Sequence, residues 1–308
     1  MTHRGRIPAS TAPRSLWADL RQTFWDRHRG RTLAVAALAA VFAYAFWPTL
    51  RQLSGKWLND PQYSHGLLVP AFSIVLLWLR RDRYPASITP APWCGLALLL
   101  TGAAGRVLGG MMYFGWLQAA SLLPMIAGAI LALGGWSVLR WALPAVAFLI
   151  FMIPMPYSIE VALGFPLQTI ATVCSTFVLQ SLGQPAVAEG HTILIREFRL
   201  GIVEACSGLR MLVTFVTFST AVCLVVRKPI SDKLLILFSA IPIALIVNVI
   251  RIVVTGIMYL HVSSETASLF FHDLAGWFMM PMALGLLWIE LWILSRLFVD
   301  PPARPAWR

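Results

Sequence analysis

Apolar residues in this chain fall in long runs broken by short polar stretches. The runs cover approximately 32–49, 66–79, 93–110, 112–133, 138–155, 157–182, 208–226, 233–260 and 273–297. A helix needs roughly 20 apolar residues to cross a hydrocarbon core of about 30 Å. The pattern therefore predicts an all-α polytopic membrane protein. One stretch reads differently. Between Ala188 and Glu204, β-branched residues surround a short polar turn, which predicts a small β-hairpin. No internal repeat stands out.

Charge orients these runs. The arm of residues 1–31 is rich in Arg, and so are Arg80-Arg-Asp-Arg83, Arg140, the loop from Arg227 to Lys233, and the tail with Arg296, Arg304 and Arg308. Cytoplasmic loops carry the excess of Lys and Arg. Starting inside, five crossings place the arm, the Arg80 loop and Arg140 in the cytoplasm. The sixth run, 157–182, then decides the rest. If it spans, the Arg227 loop falls outside. If it lies in the interface or re-enters, that loop and the C-terminus fall inside. It is the most polar run, with Glu160, Gln168, Thr169, Thr172, Ser175, Thr176 and Gln180. Non-spanning backbone at membrane depth is tolerated where protein or water covers it. The expectation is eight transmembrane helices, one re-entrant or interfacial segment, an outer-face hairpin and two cytoplasmic termini. On this topology all of the 24 Lys and Arg are cytoplasmic except Arg51, Lys56, Arg106, Arg196, Arg199, Arg210 and Arg251. The chain divides into a basic arm (1–31, partly disordered), a membrane domain (32–298) and a short tail (299–308). A cleaved signal peptide ending near Ala43-Tyr-Ala45 is the rival reading of the N-terminus. The charged region before that run is longer than a normal signal allows.

Composition agrees. The 308 residues are 58% hydrophobic and 12% charged, about half the charge of a soluble domain. The net charge of +11 follows from loop arginines, so no nucleic-acid partner is implied. The four cysteines, Cys94, Cys174, Cys206 and Cys223, form no C-x-x-C pair and no zinc spacing. No metal and no cofactor are expected. Cys94, Cys174 and Cys223 read as small buried hydrophobes.

Cys206 differs, because it sits in the polar heptapeptide Glu204-Ala-Cys-Ser-Gly-Leu-Arg210. On the predicted topology it opens the seventh run on the outer side. Arg251 lies 18 residues beyond Lys233 and so about 27 Å further along the next helix, near the same face. Asn248 is its neighbour one turn earlier, and His272-Asp273 opens the last run, again outside. Three distant stretches thus bring Cys, Arg and His to one layer. A thiolate is the attacking species, and a nearby cation, imidazole or helix N-terminus lowers the thiol pKa from about 8.5. Backbone N–H groups around Ser207-Gly208 offer an oxyanion site. Cys with His is the usual arrangement for acyl transfer through a thioester, with His272 as base and then acid. Blander readings stand beside these. Arg251 snorkels to headgroups, Asp273 caps a helix, and Glu204 and Arg210 either form a surface pair or orient the site. His65, in Tyr63-Ser-His-Gly66, is a rival for the histidine role, or it shapes the site or binds substrate with Tyr63.

At Glu204-Ala-Cys-Ser-Gly-Leu-Arg210, Asn248-Val-Ile-Arg251-Ile252 and His272-Asp-Leu-Ala-Gly276-Trp277 the chain resembles the exosortase/archaeosortase family of integral membrane cysteine peptidases. Tyr63-Ser-His-Gly66 and the Ile153-Pro-Met-Pro156 turn add to the likeness, which runs from about Asp60 to Leu297. The resemblance implies a Cys206, Arg251 and His272 site, and His272 points to the bacterial exosortase branch. It further implies substrates that are exported proteins ending in a Pro-Glu-Pro-type signal, a transmembrane helix and a basic tail. It also implies an acceptor nucleophile and a Gram-negative inner membrane, with the site facing the periplasm. The competing class is a non-enzymatic polysaccharide-export component or transporter. That class predicts midplane polar residues and paired broken helices.

Overall fold

The computed structural model describes residues 16–196, 198–201, 208–226 and 228–261, with 285, 286, 288, 289 and 292 near the C-terminus. The chain divides into two compact units between Arg51 and Gln52. Helix α1, Leu16–Asn59, runs through that boundary. It is 44 residues long, with Pro48 inside it. It begins within the basic arm, so part of the stretch expected to be disordered is helical.

In the second unit, Asp60 caps the 3-10 turn Pro61–Leu67, its Oδ1 accepting from the Gln62 N–H at 2.9 Å. Helix α2 follows at Leu68–Leu79 and α3 at Pro92–Met111. Helices α4, Gly115–Ala120, and α5, Leu122–Phe148, are nearly continuous, and a 3-10 turn extends them to Met152. Gly135 interrupts α5 with φ 74° and ψ −175°, backbone that is essentially restricted to glycine. The chain reverses there. Before the break, the Leu131 carbonyl accepts from the Ala91 N–H at the start of α3. After it, the Trp141 indole donates to the Arg80 carbonyl at 2.8 Å, and Ser73 Oγ donates to the Ala145 carbonyl at 3.1 Å. The fourth and fifth apolar runs are the two arms of this hairpin. A side chain at Gly135 would strike the Thr89 carbonyl. The first arm packs closely on α3 because Gly95, Gly102 and Gly109, one per two turns, let Ala132, Met125 and Gln118 approach the backbone.

Helix α6, Tyr157–Ser181, is a single 25-residue helix. The predicted hairpin is a three-stranded antiparallel sheet, β1 (Ala186–Glu189), β2 (Thr192–Ile195) and β3 (Phe198–Gly201), in the order β1-β2-β3. Gly190 (φ 60°) and Arg196 (φ 56°) open its two turns, as tight hairpins between right-twisted strands require. One face of the sheet, Ala186, Ile193, Ile195 and Leu200, is buried against Ala171 and Leu179 of α6 and against Ile252 and Val253. The sheet lies along α6. Gln180 Nε2 donates to the Ala186 carbonyl at 2.8 Å at one end, and the Phe165 and His191 rings meet edge-on at 4.6 Å towards the other.

Helices α7 (Gly208–Val225) and α8 (Ile230–His261) complete the described helices. They are antiparallel: Met211 and Phe215 pack on Ala240, Ala244 and Val247, and Cys223 Sγ donates to the Lys233 carbonyl at 3.3 Å near the turn. Leu286, from the final run, packs on the same cluster.

Among the described residues, five helical stretches are long and apolar enough to cross a membrane: Gln62–Leu79, Pro92–Met111, Gly115–Met152, Tyr157–Ser181 and Ile230–Leu260. Leu209–Val225 is a shorter apolar helix. The protein is thus a mostly helical, multi-pass membrane protein with a small sheet. The polarity of the sixth run is partly internal, since Thr172, Ser175 and Thr176 are buried. One cysteine expectation is corrected. Cys94 is exposed on α3, whereas Cys174 and Cys223 are partly buried. In a membrane helix the apolar face turns outward as readily as inward.

Candidate active site

The α7–α8 pair sets the depth of the predicted site. From the Cys223–Lys233 contact, Arg210 lies 13 residues back along α7, about 20 Å. Asn248 and Arg251 lie 15 and 18 residues on along α8, about 23 and 27 Å. Met211 packs in one cluster with Val247, so the first turn of α7 and the Asn248–Arg251 turn of α8 share an end of the pair. Gly208 is the first residue of α7. Arg210 is half-buried there.

Arg251 is only 7% exposed and Asn248 2%. Both are inward residues, which rules against a snorkelling arginine. A buried guanidinium is rare unless paired, and an ionisable group in a membrane helix marks a functional site by default. Thr255, one turn beyond Arg251, is equally buried. Asn248, Arg251 and Thr255, at spacings of three and four, therefore form a polar stripe on an apolar helix. The Asn248 Oδ1 and Thr255 Oγ1 have no hydrogen-bond partner among the described residues. Sequence reasoning passed over Thr255, although its spacing from Arg251 carried the signal.

Tyr63 and His65 stand on a different element, the 3-10 turn Pro61–Leu67, and both are buried. Tyr63 Oη donates to Glu160 Oε2 at 3.2 Å, and the Gln62 amide donates to Glu160 Oε1. The Lys56 ammonium lies 5.7 Å from the Tyr63 ring centroid. His65 is almost fully enclosed in this turn, and its Nδ1 has no hydrogen-bond partner among the described residues. Gly66 lies beneath the Trp57 indole, which a Cβ would strike, and Trp57 Nε1 donates to the Met152 carbonyl at 2.8 Å. Tyr63-Ser-His-Gly66 is thus a packed junction between the start of α2, the end of the Gly135 hairpin and the start of α6. This turn also touches α7.

Glu160 is the residue that sequence reasoning undervalued. Its two acceptor oxygens tie α6 to the 3-10 turn. Glu160→Ala is expected to lower stability by about 1–3 kcal/mol, the range for losing hydrogen bonds to a charged group. Thermal unfolding of the purified protein in detergent checks this. Tyr63→Phe added to that background should cost little more, because the two groups act as one unit. Fully additive losses would show that the Tyr63–Glu160 bond carries no stability.

Glu204, Cys206, Ser207, His272 and Asp273 lie outside the described residues. The structure brings Gly208, Arg210, Asn248 and Arg251 to one end of the α7–α8 pair, and sets Tyr63 and His65 in a separate turn that touches α7. Among the described residues no group of His, Cys, Asp and Glu is arranged to hold a metal ion.

The sequence model of the family described as Transmembrane exosortase (Exosortase_EpsH) matches residues 57–289. The chain belongs to the exosortase family. The match begins at Trp57, the residue packed over Gly66, and takes in the whole α7–α8 pair. The basic arm of this exosortase lies outside it. Comparison with curated proteins and with solved structures gave no match.

Proposed function

We propose that this exosortase is a membrane-embedded cysteine protease and transpeptidase. It cleaves the C-terminal Pro-Glu-Pro-type signal of exported proteins and passes the acyl group to an acceptor or to water. The observation that carries the reading is the buried Arg251, with Asn248, level with the helix end that follows Cys206.

In this reading the Cys206 thiolate attacks the scissile carbonyl carbon, and a C–S bond forms as the carbonyl becomes an oxyanion. Arg251 stabilises the thiolate or this oxyanion, and backbone N–H groups at the start of α7 add to it. Collapse breaks the C–N bond, and His272 protonates the leaving amine. The thioester then yields to the acceptor nucleophile, with His272 as base, and the thiolate is restored. Arg210, Glu204 and Asp273 orient these groups, while Tyr63 and His65 shape the wall beside α7.

The same reading places the site on the periplasmic face of a Gram-negative inner membrane, with both termini cytoplasmic. A sheet with open edges is not viable in hydrocarbon, and the sheet runs beside α6 from Gln180 towards Phe165. That supports α6 lying in the membrane surface despite its spanning length. Eight helices then cross: α1, α2, α3, the two arms of the Gly135 hairpin, α7, α8 and the final run 273–297.

Co-expression with a signal-bearing exported protein tests the function. The expected result is a shortened substrate whose new C-terminus, read by mass, falls near the signal. An unprocessed substrate beside inserted exosortase would refute the reading.

A further inference from the structure

β3 is an edge strand that runs directly into the Cys206 segment. Its last residue, Gly201, is five residues from the cysteine, at most about 18 Å of extended chain. Among the described residues only β2 pairs with it. The register, Ile195 opposite Phe198 and Leu194 opposite Arg199, fixes which groups face outward. The pair flanking a two-residue turn exchanges both its hydrogen bonds, and bonded and non-bonded pairs then alternate. Phe198 and Leu200 therefore bond to β2, while Arg199 and Gly201 turn their N–H and C=O to the open side. β3 carries no proline or bulge to blunt this edge. Leu200 is buried inward and Arg199 is exposed on the outer face.

We propose that the outer edge of β3 is the docking strand for substrate: an extended, acidic peptide segment adds to it as a fourth strand, its carboxylate beside Arg199. This rests on the protease reading above. A scissile peptide must be presented extended, and an open strand supplies the main-chain bonds that hold it so. A second copy of β3 paired about Arg199 is disfavoured as occupant, because the two Arg199 side chains would then oppose each other. The proposed signal suits the register. With prolines two residues apart, both rings sit at positions whose nitrogen faces away from β3, and the intervening glutamate bonds to it. A glutamate bonded opposite Arg199 places both side chains on the same outer face, with Cα atoms about 5.5 Å apart.

The test separates binding from cleavage. Full-length Cys206→Ala protein in detergent is titrated with a fluorescent synthetic peptide carrying the Pro-Glu-Pro signal and its flanks. N-methylation of the glutamate, or of residues two positions away, should weaken binding at least tenfold. N-methylation three positions away should leave it unchanged. Arg199→Glu should weaken binding at least tenfold, with recovery when lysine replaces the peptide's glutamate. Absence of binding, a response without period two, or no charge-swap recovery would overturn edge docking. Cleavage by the wild-type protein in those cases would leave the protease reading standing. Period-two binding without cleavage would uphold the docking strand and count against the protease.

Discussion

Cys206→Ala, co-expressed with a signal-bearing substrate, should leave that substrate at full length while the variant reaches the membrane in normal amount. The expected loss is roughly 10³-fold or more, because removing a nucleophile removes the covalent route and leaves only binding and electrostatic assistance. That corresponds to about 4 kcal/mol of transition-state stabilisation. Cys206→Ser should be nearly as inactive. A hydroxyl is far less acidic than a thiol, and the groups suited to a thiolate do not ionise it. The structural basis is the helix that follows. α7 begins two residues after Cys206, and Arg210 in its first turn sits at the end of the α7–α8 pair where Asn248 and Arg251 are buried. Retained processing in the alanine variant would show that the heptapeptide is structural.

Arg251 carries the second large effect. Arg251→Ala should lower kcat by about 10²–10³-fold, the range for losing one preorganised oxyanion donor. Arg251→Lys should recover little, because an ammonium keeps the charge but not the planar fork of donors. KM should change much less than kcat in both variants, the signature of an interaction made chiefly in the transition state. The pH profile divides the two roles. A cation beside the thiol favours thiolate and lowers its pKa. If Arg251 stabilises the thiolate, Arg251→Gln moves the acidic limb of kcat/KM to higher pH. If it serves only the oxyanion, the limb stays and the whole profile drops. An Arg251→Ala variant that folds and retains activity would remove arginine from the mechanism. Folding is read by thermal unfolding and by intact Asn248-side packing, with Val247→Ala as a control that trims the same cluster without touching the polar stripe.

Much of the architecture was readable from the sequence because bilayers impose a composition that soluble folds do not. The apolar runs found α2, α3, both arms of the Gly135 hairpin, α6, α7 and α8. The run boundary at 133–138 anticipated the reversal, marked only by Gly134-Gly135 and Ser137. The sheet was anticipated only as a hairpin. Its third strand begins just after Arg196, whose positive φ continues the turn, and a charged turn inside a short polar stretch resembles plain loop. Glu160 was read as polarity in a helix rather than as a partner of Tyr63, which lies 97 residues away. Hydrogen bonds at that separation leave no local pattern. Arg251 and Asn248 were legible for the opposite reason: a guanidinium one turn from an amide, inside an apolar run, is costly to bury and so marks an inward polar site. Cys94 was misplaced inward because apolar periodicity does not distinguish a lipid-facing side from a protein-facing one.

The thioester is the species that decides between nucleophilic catalysis by Cys206 and any route without it. Purified wild-type exosortase is mixed with substrate, quenched in acid and measured by intact mass, then digested to locate the modification. The predicted result is a mass increase equal to the N-terminal cleavage fragment less one water, on the peptide containing Cys206. It should be removed by hydroxylamine and absent from Cys206→Ala. Substrate cleaved with no such adduct, or with an equal adduct on the alanine variant, would contradict nucleophilic catalysis by Cys206.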